Sequence, residues 1–156
     1  MNLKIVLLVA SLASTVPLSA HADRKMAAKP VIKPAADLKW TPLVPELGDK
    51  GPQLSVVFGD LKKGPVGLLL KQPAGARPGP HTHTSDYWAV VVTGQLQDFE
   101  PGMGASAKKL PTGSWWMQPG KAAHDNHCFE GSECILFAYF PKGFDFAPVQ
   151  VKKASR

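Results

Sequence analysis

The chain reads as an antiparallel all-β protein, on three observations. Its 15 prolines and 14 glycines are spread along 156 residues, which leaves no room for more than a turn of helix after the N-terminal leader. Short runs rich in β-branched, aliphatic and aromatic residues recur between them: Leu54 to Phe58, Val66 to Lys71, Trp88 to Phe99, Ser114 to Gln118 and Ile135 to Phe140. Turn clusters separate the runs, among them Gly59-Asp60, Lys63-Gly64-Pro65, Pro78-Gly79-Pro80, Thr93-Gly94, Pro101-Gly102 and Pro119-Gly120. This spacing is that of a sandwich or barrel, not of strands alternating with helices.

The N-terminus has the make-up of a secretory signal peptide over residues 1–22. Lys4 supplies the positive end, Ile5 to Leu12 a short apolar stretch, and Ala20-His21-Ala22 a small-x-small cleavage site. Ser11, Ser14, Thr15 and Pro17 interrupt the apolar stretch, well short of the ~20 residues a spanning helix needs. The sequence therefore predicts a periplasmic or secreted mature chain with no membrane span. Residues 23–37 are rich in Lys, Ala and Pro and read as a flexible arm, since Pro30 and Pro34 block regular helix. One folded domain is expected over residues 38–150, beginning at Leu38-Lys39-Trp40, with one functional centre. Residues 151–156 form a basic tail.

Within the domain, Trp88, Val90 and Val92 alternate with Tyr87, Ala89 and Val91. Both sets are apolar, which predicts a central strand covered on both faces. Trp115 and Trp116 are adjacent and must point to opposite faces, though the sequence does not choose which of them faces inward. Cys128 and Cys134 flank a five-residue stretch with Gly131 at its midpoint. A hairpin turning there sets the sulfurs opposite each other on adjacent strands, and an oxidising compartment lets them bond. The alternative is Cys128 as a soft metal donor beside His124 and His127.

The net charge is +6, with Lys25, Lys29 and Lys33 near one end and Lys152, Lys153 and Arg156 at the other. No aromatic residue interleaves these charges as a stacking platform for nucleic acid requires, so they read as solvated ends. No G-x-S-x-G elbow or phosphate-cradling glycine loop is present.

Beyond the leader the histidines form two groups about forty residues apart, His81 with His83 and His124 with His127. His81 and His83, two apart on an extended segment, point to the same side, and a third imidazole from a neighbouring strand would close a metal site. His127, three residues beyond His124, falls on the opposite face. Asp125 reads as solvated or as orienting a neighbour, and Asp98 and Glu100 as ordinary solvent-facing charges near a turn.

Two segments resemble the signature motifs of the cupin superfamily: Pro78 to Gly94, with His81-Thr82-His83 and a closing Gly94, and Gly113 to Cys128, with Gly113, Pro119 and His124 at the family's spacing. The resemblance covers about Leu54 to Phe146 and extends to a group of exported single-domain cupins. It implies a double-stranded β-helix, or jelly roll, with His81, His83 and His124 converging inside one open end and the barrel interior as the pocket. Two departures stand out. Tyr87 occupies the position of the family's Glu ligand, on the same strand face as His81 and His83. A neutral phenol with a pKa of about 10 is a poor ligand, so Tyr87 suits either a proton or hydrogen-bond donor beside the metal or a plain structural tyrosine. Asp86, one residue early, could ligate only across a backbone bulge. In the second motif Gly120 follows Pro119 directly instead of lying one position further on.

Three neutral imidazoles on a divalent cation such as Fe, Zn or Mn leave coordination positions open for a small molecule. With no carboxylate the ion keeps its full +2 charge and attracts anionic or enolisable oxygen donors. Two functions follow as expectations: a metal-binding cupin open to a small oxygen-donor ligand, or a metal-dependent dioxygenase, isomerase or lyase. A structural cupin without metal is the third. Cupin kinship also allows a homodimer, with the Trp40 region as its contact.

Overall fold

In the computed structural model, which describes residues 30–150, the strands are β1 (Thr41–Pro42), β2 (Gln53–Gly59), β3 (Val66–Gln72), β4 (His81–Thr82), β5 (Tyr87–Thr93), β6 (Gln95–Phe99), β7 (Leu110–Pro111), β8 (Trp115–Gln118), β9 (Asp125–Cys128), β10 (Cys134–Phe140) and β11 (Ala147–Pro148). Short 3-10 turns at Ala35–Asp37 and Pro45–Lys50 are the helical elements among these residues. The signal peptide, most of the arm and the basic tail lie outside the described residues.

The strands pair antiparallel throughout, in a six-stranded sheet of order β1-β2-β3-β10-β5-β8, a three-stranded sheet β7-β6-β9 and a two-stranded ribbon β11-β4. The expected run from Trp88 to Phe99 is two strands, not one. Gly94, at φ +84°, breaks it, and a Cβ there would lie 2.7 Å from the carbonyl oxygen of Glu133. Only glycine allows both this backbone and this approach, and the break passes the chain from the large sheet to the small one.

The core follows the two-residue period of the strands. In β10, Cys134, Leu136, Ala138 and Phe140 point inward and are buried, while Ile135, Phe137 and Tyr139 point outward. Tyr87, Ala89 and Val91 of β5 join them, with Val66 and Leu68 of β3 and Leu96 of β6 closing the cluster. Here the structure corrects the expectation of a doubly covered β5. Trp88, Val90 and Val92 are exposed, because among the described residues no second layer covers the outer face of that strand. Trp116 faces inward and Trp115 outward.

Cys128 and Cys134 are bonded, with Cα atoms 5.8 Å apart. Their strands are not ladder partners, however: β9 pairs with β6, and β10 with β3 and β5. The bond ties the small sheet to the large one at the end marked by Gly131. It also removes Cys128 from the possible metal donors. Trp40 is engaged within its own chain, with Lys71 Nζ 4.5 Å from the centre of its ring.

Candidate metal centre

His81, in β4, and His124, just before β9, are antiparallel bridge partners: the His81 N–H donates to the His124 carbonyl at 2.8 Å, and the His124 N–H to the His81 carbonyl at 2.9 Å. This pairing joins the two distant motifs. His83 follows two residues on, its carbonyl accepting from the Lys121 N–H at 2.7 Å. All three imidazoles are buried, and their ring centres lie 4.2 to 5.3 Å apart. One ring nitrogen from each lies within 4.8 Å of the other two. Nitrogens sharing an ion at ~2.1 Å sit at most ~4.2 Å apart, so the cluster is near the spacing of a bound cation.

The outer nitrogens fix the tautomers. His81 Nδ1 donates to the Gly79 carbonyl at 2.8 Å, and His83 Nδ1 donates to the Asp145 carbonyl. A carbonyl only accepts, so both Nδ1 atoms carry the hydrogen and both Nε2 atoms keep a lone pair. His124 Nδ1 donates to Asp98 Oδ1 at 2.7 Å. Its Nε2 is buried with no hydrogen-bond partner, an orphaned acceptor where the rings converge. Three bare nitrogens facing one another, each oriented from behind by an acceptor, make a donor set that fits a divalent transition metal.

Burial pulls the pKa of His81 and of His83 down to about 4, against which the Gly79 and Asp145 carbonyls act in the opposite direction. Both rings are therefore neutral at pH 7, the form that binds metal. Burial pushes the Tyr87 phenol well above its ordinary value and the Asp98 charge adds to this, while the nearby Trp116 indole opposes it. Tyr87 thus stays protonated, a donor and not an anionic ligand. Its ring lies 5.0 Å from His83 and 5.9 Å from His124 and stacks on Phe140 at 4.7 Å. Strand parity delivers it to the cluster as expected.

Asp86 is not brought to the cluster. With Tyr87 turned inward, its neighbour turns outward, and the exposed Asp86 carboxylate accepts the Gly120 N–H at 2.7 Å. That contact is the local role of the shifted Pro119-Gly120 turn. His127 stands apart beside Phe129, their rings 4.8 Å apart. One reading is corrected, and for Asp125 the structure selects the neighbour-orienting alternative over the solvated one. Asp98 is not an ordinary surface charge but the acceptor that orients His124. Asp125 is fully buried and bonded to Arg77 Nε at 2.7 Å. Sequence reasoning also missed Asp145, whose carbonyl orients His83 and whose carboxylate accepts from the Thr84 N–H and hydroxyl. Burial favours the neutral form of this carboxyl, but the Thr84 hydrogen bonds outweigh it and hold the pKa below the usual value. None of these partners had a signal at short range: Asp98 and Asp145 lie 26 and 62 residues from the histidines they serve.

His81 and His83 line a cavity of about 790 Å³ with a mostly apolar wall that includes Leu70, Tyr87, Trp116, Leu136, Phe140 and Phe146, while His124 lines a second pocket with Asp98 and Glu100. Phe146 stacks on His81, ring centres 4.3 Å apart. Lys50, Lys71 and Arg77 also line the larger cavity, and among the described residues no Asp or Glu does.

The sequence profile of a family described as a domain of unknown function, DUF4437, matches residues 31–150. The chain belongs to that family. No curated protein matches the chain. Among solved structures, this DUF4437 protein is similar to an RmlC-like cupin from Ralstonia eutropha, at 22% identity and a TM-score of 0.56, over 70% of this chain and 66% of that one. KdgF from Halomonas sp. matches at 19% identity and a TM-score of 0.55, over 73% of this chain and 96% of the other. An acetylacetone dioxygenase from Acinetobacter johnsonii matches at 16% identity and a TM-score of 0.56, over 78% and 79%. At such identities the likeness establishes the fold: the DUF4437 domain is a cupin jelly roll, with the three-histidine cluster inside it.

Proposed function

We propose that this cupin binds a divalent transition metal through Nε2 of His81, His83 and His124 and captures a small oxygen-donor ligand at the metal's open positions. One observation carries the reading: each imidazole has its Nδ1 committed to an acceptor behind it, so three lone pairs face a common point. The ligand class follows from the cavity. An ion held by three imidazoles, with no carboxylate bound to it directly, keeps a net positive charge, and the described residues lining the cavity include no Asp or Glu. An anionic or enolisable oxygen donor with an apolar body is the complementary molecule, with Tyr87 as a neutral donor beside it.

Fe, Zn and Mn all suit this donor set. With iron bound, the site would supply oxidative chemistry, and the likeness to an acetylacetone dioxygenase favours that second reading, a metal-dependent dioxygenase, isomerase or lyase. Tyr87 would then hold a hydrogen bond on the developing negative oxygen of the ligand, and the apolar wall would exclude water. The leader supports export to the periplasm or beyond, as does the disulfide, a bond of oxidising compartments.

Elemental analysis of protein purified without chelators tests the site: about one transition metal per chain is expected, and none in the His81→Ala/His83→Ala variant. Stoichiometric metal in that variant would reject the assignment. Acetylacetone titrated into metal-loaded protein tests the ligand class, with oxygen uptake separating turnover from capture. In Tyr87→Phe, metal content should hold while acetylacetone binding falls about tenfold, the effect of one hydrogen bond to a charged oxygen. Export is tested by the N-terminal sequence of the processed protein, expected at Asp23.

A further inference from the structure

We propose that Arg77 determines which ligand this site takes, by anchoring a carboxylate carried at the end of the molecule remote from its metal-binding oxygens. The inference rests on the reading of a metal-held oxygen donor given above and narrows it to one class: small acids whose other end offers a chelating pair of oxygens. Arg77 lines the same cavity as His81 and His83. At about 790 Å³ that cavity falls within the ~300–1,000 Å³ of sites that enclose a drug-sized molecule. A ligand therefore has room for a second end beyond the part that meets the metal.

Arg77 is held in place before any ligand arrives. Its Nε–H donates to Asp125 Oδ2 at 2.7 Å, and the other oxygen of that fully buried carboxylate accepts the Asn126 N–H at 2.9 Å. Both oxygens of Asp125 are thus occupied, whereas the N–H groups on the two terminal nitrogens of Arg77 have no acceptor among the described residues. Phe99 lies against one face of the guanidinium, its ring centre 5.2 Å from Cζ. The backbone is pinned too. The Ala76 N–H donates to the Pro73 carbonyl and the Ala76 carbonyl accepts the Cys128 N–H, both at 3.0 Å, while Pro78 fixes its own φ on the other side. A guanidinium anchored through Nε presents its outer edge as a planar fork, which matches the two oxygens of a carboxylate. Because the side chain is already oriented, little rotamer freedom is lost on capture.

The other two cations of the wall are built differently. Lys71 Nζ lies 4.5 Å from the centre of the Trp40 ring, and strand parity turns its side chain away from Leu70 and Gln72. Lys50 is exposed at the end of a 3-10 turn and adds positive potential without a fixed geometry. Only Arg77 combines charge with a set direction.

Calorimetric titration of the zinc-loaded full chain with two probes is the test: acetylacetone, and succinylacetone, the same diketone with a carboxymethyl group on one end. Both offer the metal the same oxygens, so the ratio of their dissociation constants reads the carboxylate alone. Succinylacetone should bind at least ~10-fold more tightly, the effect of charge-assisted hydrogen bonds to one anion. In Arg77→Gln the ratio should fall to within about twofold. That substitution strands the buried Asp125, so Arg77→Gln/Asp125→Asn is its companion, with the same fall in ratio expected. A residue that served packing alone would weaken both probes together and leave the ratio high. Equal affinity for the two probes in the native protein, or a ratio that survives both variants, overturns the inference and leaves the metal centre standing. Failure of both probes to bind the zinc-loaded protein overturns the underlying reading, and the inference with it.

Discussion

Asp98 shows what a single residue contributes to the centre. Its carboxylate accepts from His124 Nδ1 at 2.7 Å, which holds the ring in place and makes Nε2 a better donor. Asp98→Asn should keep the fold and lower metal affinity ~10- to 100-fold, the usual effect of losing such an orienting carboxylate, measurable by competition with a chromophoric chelator. The buried imidazoles also make the metal-free protein sensitive to acid. In the unfolded chain His81 and His83 take up protons from about pH 6.5 downward, whereas in the folded chain they do so only near pH 4. The unfolded state therefore binds more protons between these values, and stability falls as pH drops from 6.5 to 4, levelling below that. The loss should reach on the order of 3 kcal/mol for each ring. Urea unfolding of chelator-treated protein at pH 7.5, 5.5 and 4 checks it, and metal should protect by competing for the same nitrogens.

Among the elements, the β9–β10 connection combines a turn at Gly131 with a covalent tie between sheets. Because the bond spans only six positions, closing so short a loop should contribute about 2 kcal/mol, less than a long-range bridge. The Cys128→Ala/Cys134→Ala variant should lose about that amount in a denaturant titration and still bind metal, since neither sulfur belongs to the cluster. Gly94 acts at the β5–β6 connection: it turns a single apolar run into two strands of different sheets. A composition-based reading sees the glycine but not the neighbouring Glu133 carbonyl that forbids a side chain there.

At the scale of the whole molecule, metal binding should appear as folding stability, because three ligands from two distant segments come together only in the native barrel. Metal at a hundredfold excess over its dissociation constant stabilises the fold by about 2.7 kcal/mol. For a domain of this size that is roughly a 10 °C rise in melting temperature. Scanning calorimetry should show the shift on adding zinc, its reversal by chelator, and its absence in His81→Ala/His83→Ala. The alternation of apolar residues and the even spread of proline and glycine determined the β class by themselves, because burial period and turn chemistry are local properties. The two histidine motifs likewise marked the three histidines that cluster in the barrel, and strand parity marked Tyr87 beside them. Neither the orienting partners Asp98 and Asp145, nor the outward turn of Asp86, nor the bare face of β5 could be read there. Each depends on which strand lies beside or above another, a long-range pairing that the chain settles only when it folds.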